Sequence, residues 1–206
     1  SAQQHYLRAL KTFRVNVDRE GEAASLGNLG IIALSRGDLA EAERLQRESL
    51  TINKETLDRT GESNSLGNLG TIADTRGDFT EAERLYRESL AIKREIDDRE
   101  GEATCLINIG TIAETRGDLP EAERLQRESL AITREIGDQR GEAISMFNLG
   151  NIKYNLGDFD EAEKLLRECL AINREIGDRR GEAVSMHNLG NIVDTRGDST
   201  EAERLY

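Results

Sequence analysis

Apolar residues along this chain recur at spacings of three and four and nowhere alternate as a strand would. Leu106, Ile109, Gly110 and Ala113 fall at i, i+3, i+4 and i+7, one stripe of an α-helix. Ala82, Leu85, Ser89, Ile92 and Ile96 form a second stripe, able to pack closely on neighbouring helices. Between the two patterns sits Gly-Asp, as in Gly77-Asp78. The glycine suits the left-handed residue that ends one helix, and the aspartate caps the next. Asp78 with Glu81 reads as a capping box, repeated at Asp38/Glu41, Asp118/Glu121, Asp158/Glu161 and Asp198/Glu201. Pro120 falls in the first turn of a second helix, where a missing N–H does least harm.

This two-helix pattern repeats. Gly-Glu recurs every 40 residues at Gly21, Gly61, Gly101, Gly141 and Gly181. Gly30, Gly70, Gly110, Gly150 and Gly190 form a second series, and Gly37, Gly77, Gly117, Gly157 and Gly197 a third. Residues 21–60, 61–100, 101–140 and 141–180 are four complete units of one array spanning 1–206. Residues 1–20 match the second half of a unit, and 181–206 begin a fifth. One helix pair cannot bury its own stripe, so neighbouring pairs must stack. The expected fold class is all-α: a right-handed superhelical solenoid of antiparallel helix pairs. A helix-interior glycine costs about 1 kcal/mol relative to alanine, so its return at Gly30 to Gly190 predicts a close approach of two backbones.

Charge and composition narrow the function classes. Lys+Arg 28 against Asp+Glu 40 gives a net charge of −12, which repels nucleic acid. No apolar run approaches the roughly 18 residues of a membrane span, and residues 1–20 do not read as a signal peptide. Two cysteines, Cys105 and Cys169, make neither a disulfide framework nor a metal set, which predicts a reducing, cytoplasmic setting.

No catalytic constellation is evident, so the chain reads as a non-enzyme without cofactor or metal. His5 and His187 are far apart in sequence, and neither His-x-x-x-His nor Cys-x-x-Cys occurs. Cys105 occupies the slot of Ser25, Ser65, Ser145 and Ser185, and Cys169 that of Ser49, Ser89 and Ser129, so both read as small packed residues. The glycines are scattered singly and form no phosphate loop. Glu81 with Arg84 and Glu83 with Arg87 are ordinary surface pairs. Arg-Gly-Asp occurs at 36–38, 76–78, 116–118 and 196–198. As an adhesion tripeptide it would bind integrins. As a helix-end turn it explains every copy, and Leu156-Gly157-Asp158 shows that the arginine is dispensable there.

The repeating residues resemble the tetratricopeptide repeat family. Its pattern of a large residue, Leu-Gly and then Ala appears as Leu26, Leu29-Gly30 and Ala42, as Leu66, Leu69-Gly70 and Ala82, and as Met146, Leu149-Gly150 and Ala162. Three slots depart from it. The usual tryptophan is Leu or Met, the usual tyrosine is Ala33, Ala73, Ala113, Lys153 or Val193, and the closing proline is Lys54, Arg94, Arg134 or Arg174. Without that proline the second helix can run on, which fits a 40-residue unit. The units, with Asn-Leu-Gly-Asn at 148–151 and 188–191, are similar to those of Leu-Gly-Asn-repeat signalling modulators, kinesin light chains and bacterial regulators.

The resemblance implies that the first helices of the units line an inner face that holds extended or helical peptides. The slot before Leu-Gly is asparagine throughout: Asn28, Asn68, Asn108, Asn148 and Asn188. Such amides suit the backbone of a bound chain or a tie between neighbouring helices. Neighbouring inward slots vary. Two before the leucine stand Gly27, Gly67, Ile107, Phe147 and His187. Two after it stand Ile31, Thr71, Thr111, Asn151 and Asn191. Five after it stand Leu34, Asp74, Glu114, Tyr154 and Asp194, with Asn155 one further on. Phe147 and Tyr154 are aromatic anchors of the kind favoured at interfaces, and the carboxylates favour a basic or amphipathic partner. With Gly27, Gly67, Asn28 and Asn68 on inward slots, the basic clamp that some relatives use for carboxylates is absent.

The leading expectation is a protein-interaction scaffold that binds a peptide or helical segment in its groove. A sensory segment of a larger signalling or transcription-regulating protein and a self-associating spacer are the alternatives. The chain opens and closes inside a repeat, which suggests end-to-end self-association through truncated terminal helices.

Overall fold

The computed structural model describes residues 2–195. These form ten α-helices and, among the described residues, no strand. They are α1 (Ala2–Asn16), α2 (Arg19–Ser35), α3 (Leu39–Thr56), α4 (Arg59–Thr75), α5 (Phe79–Glu95), α6 (Arg99–Thr115), α7 (Leu119–Ile136), α8 (Gln139–Asn155), α9 (Phe159–Ile176) and α10 (Arg179–Thr195). The fold class is all-α helical repeat. Even-numbered helices are the first of each pair, odd-numbered ones the second. The expected helix from Asp198 onward, with its Asp198/Glu201 pair, lies outside the described residues.

The chain divides into two compact units, Ser1–Asp98 and Arg99–Tyr206. In the first, α2 packs on α3 and α4 on α5, while α1 and α3 pack on the next even helix. In the second, α6 with α7 and α8 with α9 make the same pairs, α7 joins α8, and α9 joins α10. Within each unit successive even helices also touch, α2 with α4, α6 with α8 and α8 with α10.

Helix ends follow the local chemistry. Gly37, Gly77, Gly117 and Gly157 have φ of 79°, 78°, 81° and 79°. Asp38, Asp78, Asp118 and Asp158 then cap the next helix, accepting the N–H of Glu41, Glu81, Glu121 and Glu161. The capping box is half formed. The N–H of Asp78 already donates to the Ala73 carbonyl at 3.0 Å, closing the preceding turn. Glu81 therefore turns outward and accepts two bonds from Arg84 at 2.8 Å. The even helices start two residues before the Gly-Glu landmark, with Asp18, Asp58, Asp138 and Asp178 accepting the N–H of Gly21, Gly61, Gly141 and Gly181.

The glutamate of Gly-Glu and the cation in the missing-proline slot explain each other. The extended odd helix carries that cation back to the next even helix: Arg14 meets Glu22 at 2.7 Å, Arg134 meets Glu142 at 2.8 Å and Arg174 meets Glu182 at 2.8 Å. Lys54 approaches Glu62 at 3.8 Å. The core between helices is fine-grained. Ala42, Ala82, Ala122 and Ala162 are fully buried, and Ser49, Ser89 and Ser129 each donate a hydroxyl to a carbonyl of the preceding even helix. Cys169 takes the same place, its Sγ donating to the Ala143 carbonyl at 3.2 Å, and burial raises its thiol pKa. Both cysteines are buried.

The helix-interior glycines meet the odd helix of their own pair, but it is mainly the side chains of that helix, not its backbone as expected, that fill the space a Cβ would take. A Cβ on Gly70 would lie 2.8 Å from the Tyr86 ring, on Gly110 2.7 Å from Gln126 Nε2, and on Gly150 2.8 Å from Leu166 Cγ.

Candidate functional site

The even helices carry the inward slots, and in the second unit two of them enclose a cleft. α8 and α10 stand side by side on α9, anchored by Leu149, Leu189 and Ile192 from above and by Leu165 and Leu166 from below. At their C-terminal ends a cleft of about 300 Å³ opens, lined by Asn151, Tyr154, Asn155, Asn188 and Asn191, with Glu114 of α6 at its edge. Leu166 and Ile192 form its floor.

The geometry inside is polar and partly prearranged. Asn188 Nδ2 donates to Asn151 Oδ1 at 2.7 Å, tying α10 to α8. That bond uses one donor of Asn188 and leaves its carbonyl oxygen and the Asn151 NH2 group free for other partners. Tyr154 stands edge-on to Phe159, ring centroids 5.4 Å apart, and its hydroxyl lies 3.3 Å from Thr195 Oγ1. Asn155 Nδ2 donates to Glu114 Oε1 at 3.3 Å. Glu114 is half-buried, and desolvation raises its pKa above the usual glutamate value. A carboxylate so placed gains from any cation brought to it.

Six of the sequence-predicted residues thus converge: Glu114, Asn151, Tyr154, Asn155, Asn188 and Asn191. Phe147 lies one turn away in a second cleft of α8 and α10, with Ile144 and Val184. Asn68 lines a separate cleft in the first unit, over Gly27. Asn108, Asn148, Thr111, His187 and Asp194 share the second unit but line neither of these clefts. Thr111 Oγ1 is turned to its own helix, donating to the Ile107 carbonyl. In the first unit Thr71 accepts from the Tyr86 hydroxyl at 3.1 Å, and Asp74 is exposed with a pKa raised by desolvation. The asparagine slot is used in two ways: Asn28 bonds its own helix at Ala24, whereas Asn188 bonds the neighbouring one.

Sequence reasoning passed over Ile144, Val184, Arg140 and Arg180, because they precede the Leu-Gly landmark by more than a turn. The signal was available: the slot of Arg140 and Arg180 reads Glu20, Thr60 and Glu100 in the earlier units. The Lys153 that replaces the usual tyrosine is committed to Glu123 at 2.8 Å and Glu161 at 3.5 Å. Among the described residues no group of three or more His, Cys, Asp or Glu side chains is placed to hold a metal, and no helix is long and apolar enough to cross a membrane.

Comparison with known proteins bears on the fold. A family profile described as Tetratricopeptide repeat matches residues 1–55, 28–95, 61–135 and 141–206. Among solved structures the chain is similar to BtubC (BKLC) from P. vanneervenii, with TM-score 0.84, 22% identity, and coverage of 98% of this chain and 86% of that one. It is similar to a signal transduction ATPase with numerous domains and a tetratricopeptide repeat sensor from Pyrococcus horikoshii, with TM-score 0.84 and 20% identity. There 97% of this chain overlays 31% of that one. Aspartyl phosphate phosphatase F from Bacillus subtilis gives TM-score 0.82 at 12% identity, over 98% of this chain and 62% of that one. No curated protein sequence matches the chain.

Proposed function

The chain belongs to the tetratricopeptide repeat family, and on that premise we propose that it is a non-enzymatic interaction module that holds an extended peptide segment of a protein partner between α8 and α10. The convergence of Asn151, Tyr154, Asn155, Asn188 and Glu114 on one cleft carries this reading. An extended peptide brings unpaired backbone N–H and C=O groups, and the free halves of the Asn151 and Asn188 amides complement both. Each such bond is worth about 0.5–1.5 kcal/mol net, so affinity accumulates over several steps and over the Tyr154 and Phe147 rings. Glu114 favours a basic side chain at its end of the cleft.

Selection from a random peptide library, followed by fluorescence polarisation, tests the site. Replacing Asn151, Tyr154 or Phe147 by alanine is expected to weaken selected peptides at least about tenfold for the aromatic positions, which corresponds to 1.4 kcal/mol or more. Unchanged affinity in all three variants would remove the site from α8 and α10.

A further inference from the structure

The second residue of each even helix reads Arg19-Glu20, Arg59-Thr60, Arg99-Glu100, Gln139-Arg140 and Arg179-Arg180, so its charge inverts in α8 and α10. A cation in the first turn opposes the helix dipole. Both Arg140 and Arg180 are exposed. Among the described residues neither side chain makes an ion pair or hydrogen bond, although Arg134, Arg174 and Arg179 nearby are all paired with glutamates. The two line, from adjacent helices, a mainly apolar cleft of about 390 Å³ with Ile144, Phe147 and Val184; the Asp178 carboxylate also lines it, and accepts the backbone N–H of Arg180 and of Gly181. Ile144 and Val184 are 42% and 41% exposed, large apolar side chains left open to water. The equivalent cleft in the first unit has Thr60, Ala24, Gly27 and Asn64 at the matching places, with neither the charge nor the apolar walls.

This cleft and the Glu114 cleft are distinct, but one face of α8 lines both. Arg140, Ile144, Phe147, Asn151 and Tyr154 are spaced by three and four residues, a single stripe of α8. Arg140 to Tyr154 is 14 residues of helix, about 21 Å at 1.5 Å per residue. An extended chain covers that length in about six residues.

We infer that the groove has a fixed polarity: it takes an extended segment with a carboxylate over Arg140 and Arg180, apolar side chains on Ile144, Phe147 and Val184, and a basic side chain about six residues away at Glu114. This rests on the reading of the α8–α10 groove as a peptide site and adds the charge pattern of its occupant. The chain as a whole has a net charge of −12 and repels an acidic segment, so these two arginines supply the attraction that an acidic group needs at this end of the cleft.

The test uses fluorescent peptides from the library, acetylated and amidated so that their termini carry no charge. Each is also made with its acidic residues changed to Gln and with its basic residue changed to Gln. The Arg140→Glu/Arg180→Glu double variant is expected to lose at least about tenfold in affinity for the parent peptide and little for the acid-to-Gln form. Glu114→Gln is expected to lose affinity for the parent and little for the base-to-Gln form. Both variants alter unpaired or half-exposed groups, and a thermal melt confirms their fold. Selected peptides without an acidic preference, or unaffected by the double arginine change, overturn the polarity; the peptide site itself then stands if Tyr154→Ala still weakens binding at least about tenfold. A library that yields no binder overturns both readings.

Discussion

Leu57 sits where the backbone turns left-handed, with φ of 59° and 81% of its surface exposed. The same helix-end slot holds Val17 and Asp97, also at positive φ, and then Gly137 and Gly177 at 72° and 73°. Two glycines outside the three repeating series are therefore the relaxed form of a turn that the earlier units make with strained residues. A left-handed L-residue costs about 1–2 kcal/mol, and glycine returns part of that gain through its freer unfolded chain. Leu57→Gly is expected to stabilise the protein by about 0.5–1 kcal/mol, read as a higher denaturant midpoint with an unchanged slope. A lower midpoint would mean that Leu57 makes contacts that outweigh its strain.

Between elements, closeness is set by what stands opposite the repeating glycine. Gly110 faces Gln126, which is fully buried and donates to the Ile107 carbonyl at 3.1 Å. A leucine there has to displace both the amide and the approach of α6 to α7. Overpacking of this kind costs about 1–3 kcal/mol and more where backbones must separate. Gly110→Leu is expected to lower the melting midpoint and broaden the transition, since repeat arrays hold together through neighbour contacts. An unchanged midpoint would reject the close-approach reading. The need for a small residue at this slot was legible from its return every 40 residues. The partner was not, because its slot holds glutamine at Gln46 and Gln126 but an aromatic ring at Tyr86 and an aliphatic side chain at Leu166. The candidate site was legible to the same degree: the stripe of inward slots was readable, but not which six of its residues converge or that Phe147 and Tyr154 occupy different clefts.

Over the whole molecule the ion pairs set a pH dependence. Arg14 holds the Glu22 carboxyl below its usual pKa, Arg76 does so for Glu43, Lys153 for Glu123 and Arg127 for Glu161. A carboxylate lowered in the fold contributes stability above its unfolded pKa and loses it as pH falls through the folded value. Glu114 and Asp74, raised by desolvation, act in the opposite sense and are relieved by acid. The lowered group is the larger, so stability is expected to fall below about pH 5, with a smaller slope in high salt because most pairs are at the surface. Circular dichroism melts from pH 7 to 3 at two salt concentrations check this; a midpoint that rises in acid would contradict it.

The sequence by itself determined the helices, their caps, the 40-residue period and the family, because each of these is fixed by residues near one another in the chain. Gly77 and Asp78 make their turn whatever lies across from them, and an apolar stripe at helical spacing demands a neighbour of the same kind. Only the tertiary structure decided which polar side chains were spent. Glu81 turned to Arg84 because Ala73 had already taken the cap N–H, and Lys153 was drawn to Glu123 and Glu161. Arg140 and Arg180 remained unpaired, and Asn188 reached across to Asn151. The physical reason is that a hydrogen bond or ion pair between residues 37 or 41 positions apart depends on sub-ångström placement of two helices, which periodicity in one dimension does not encode.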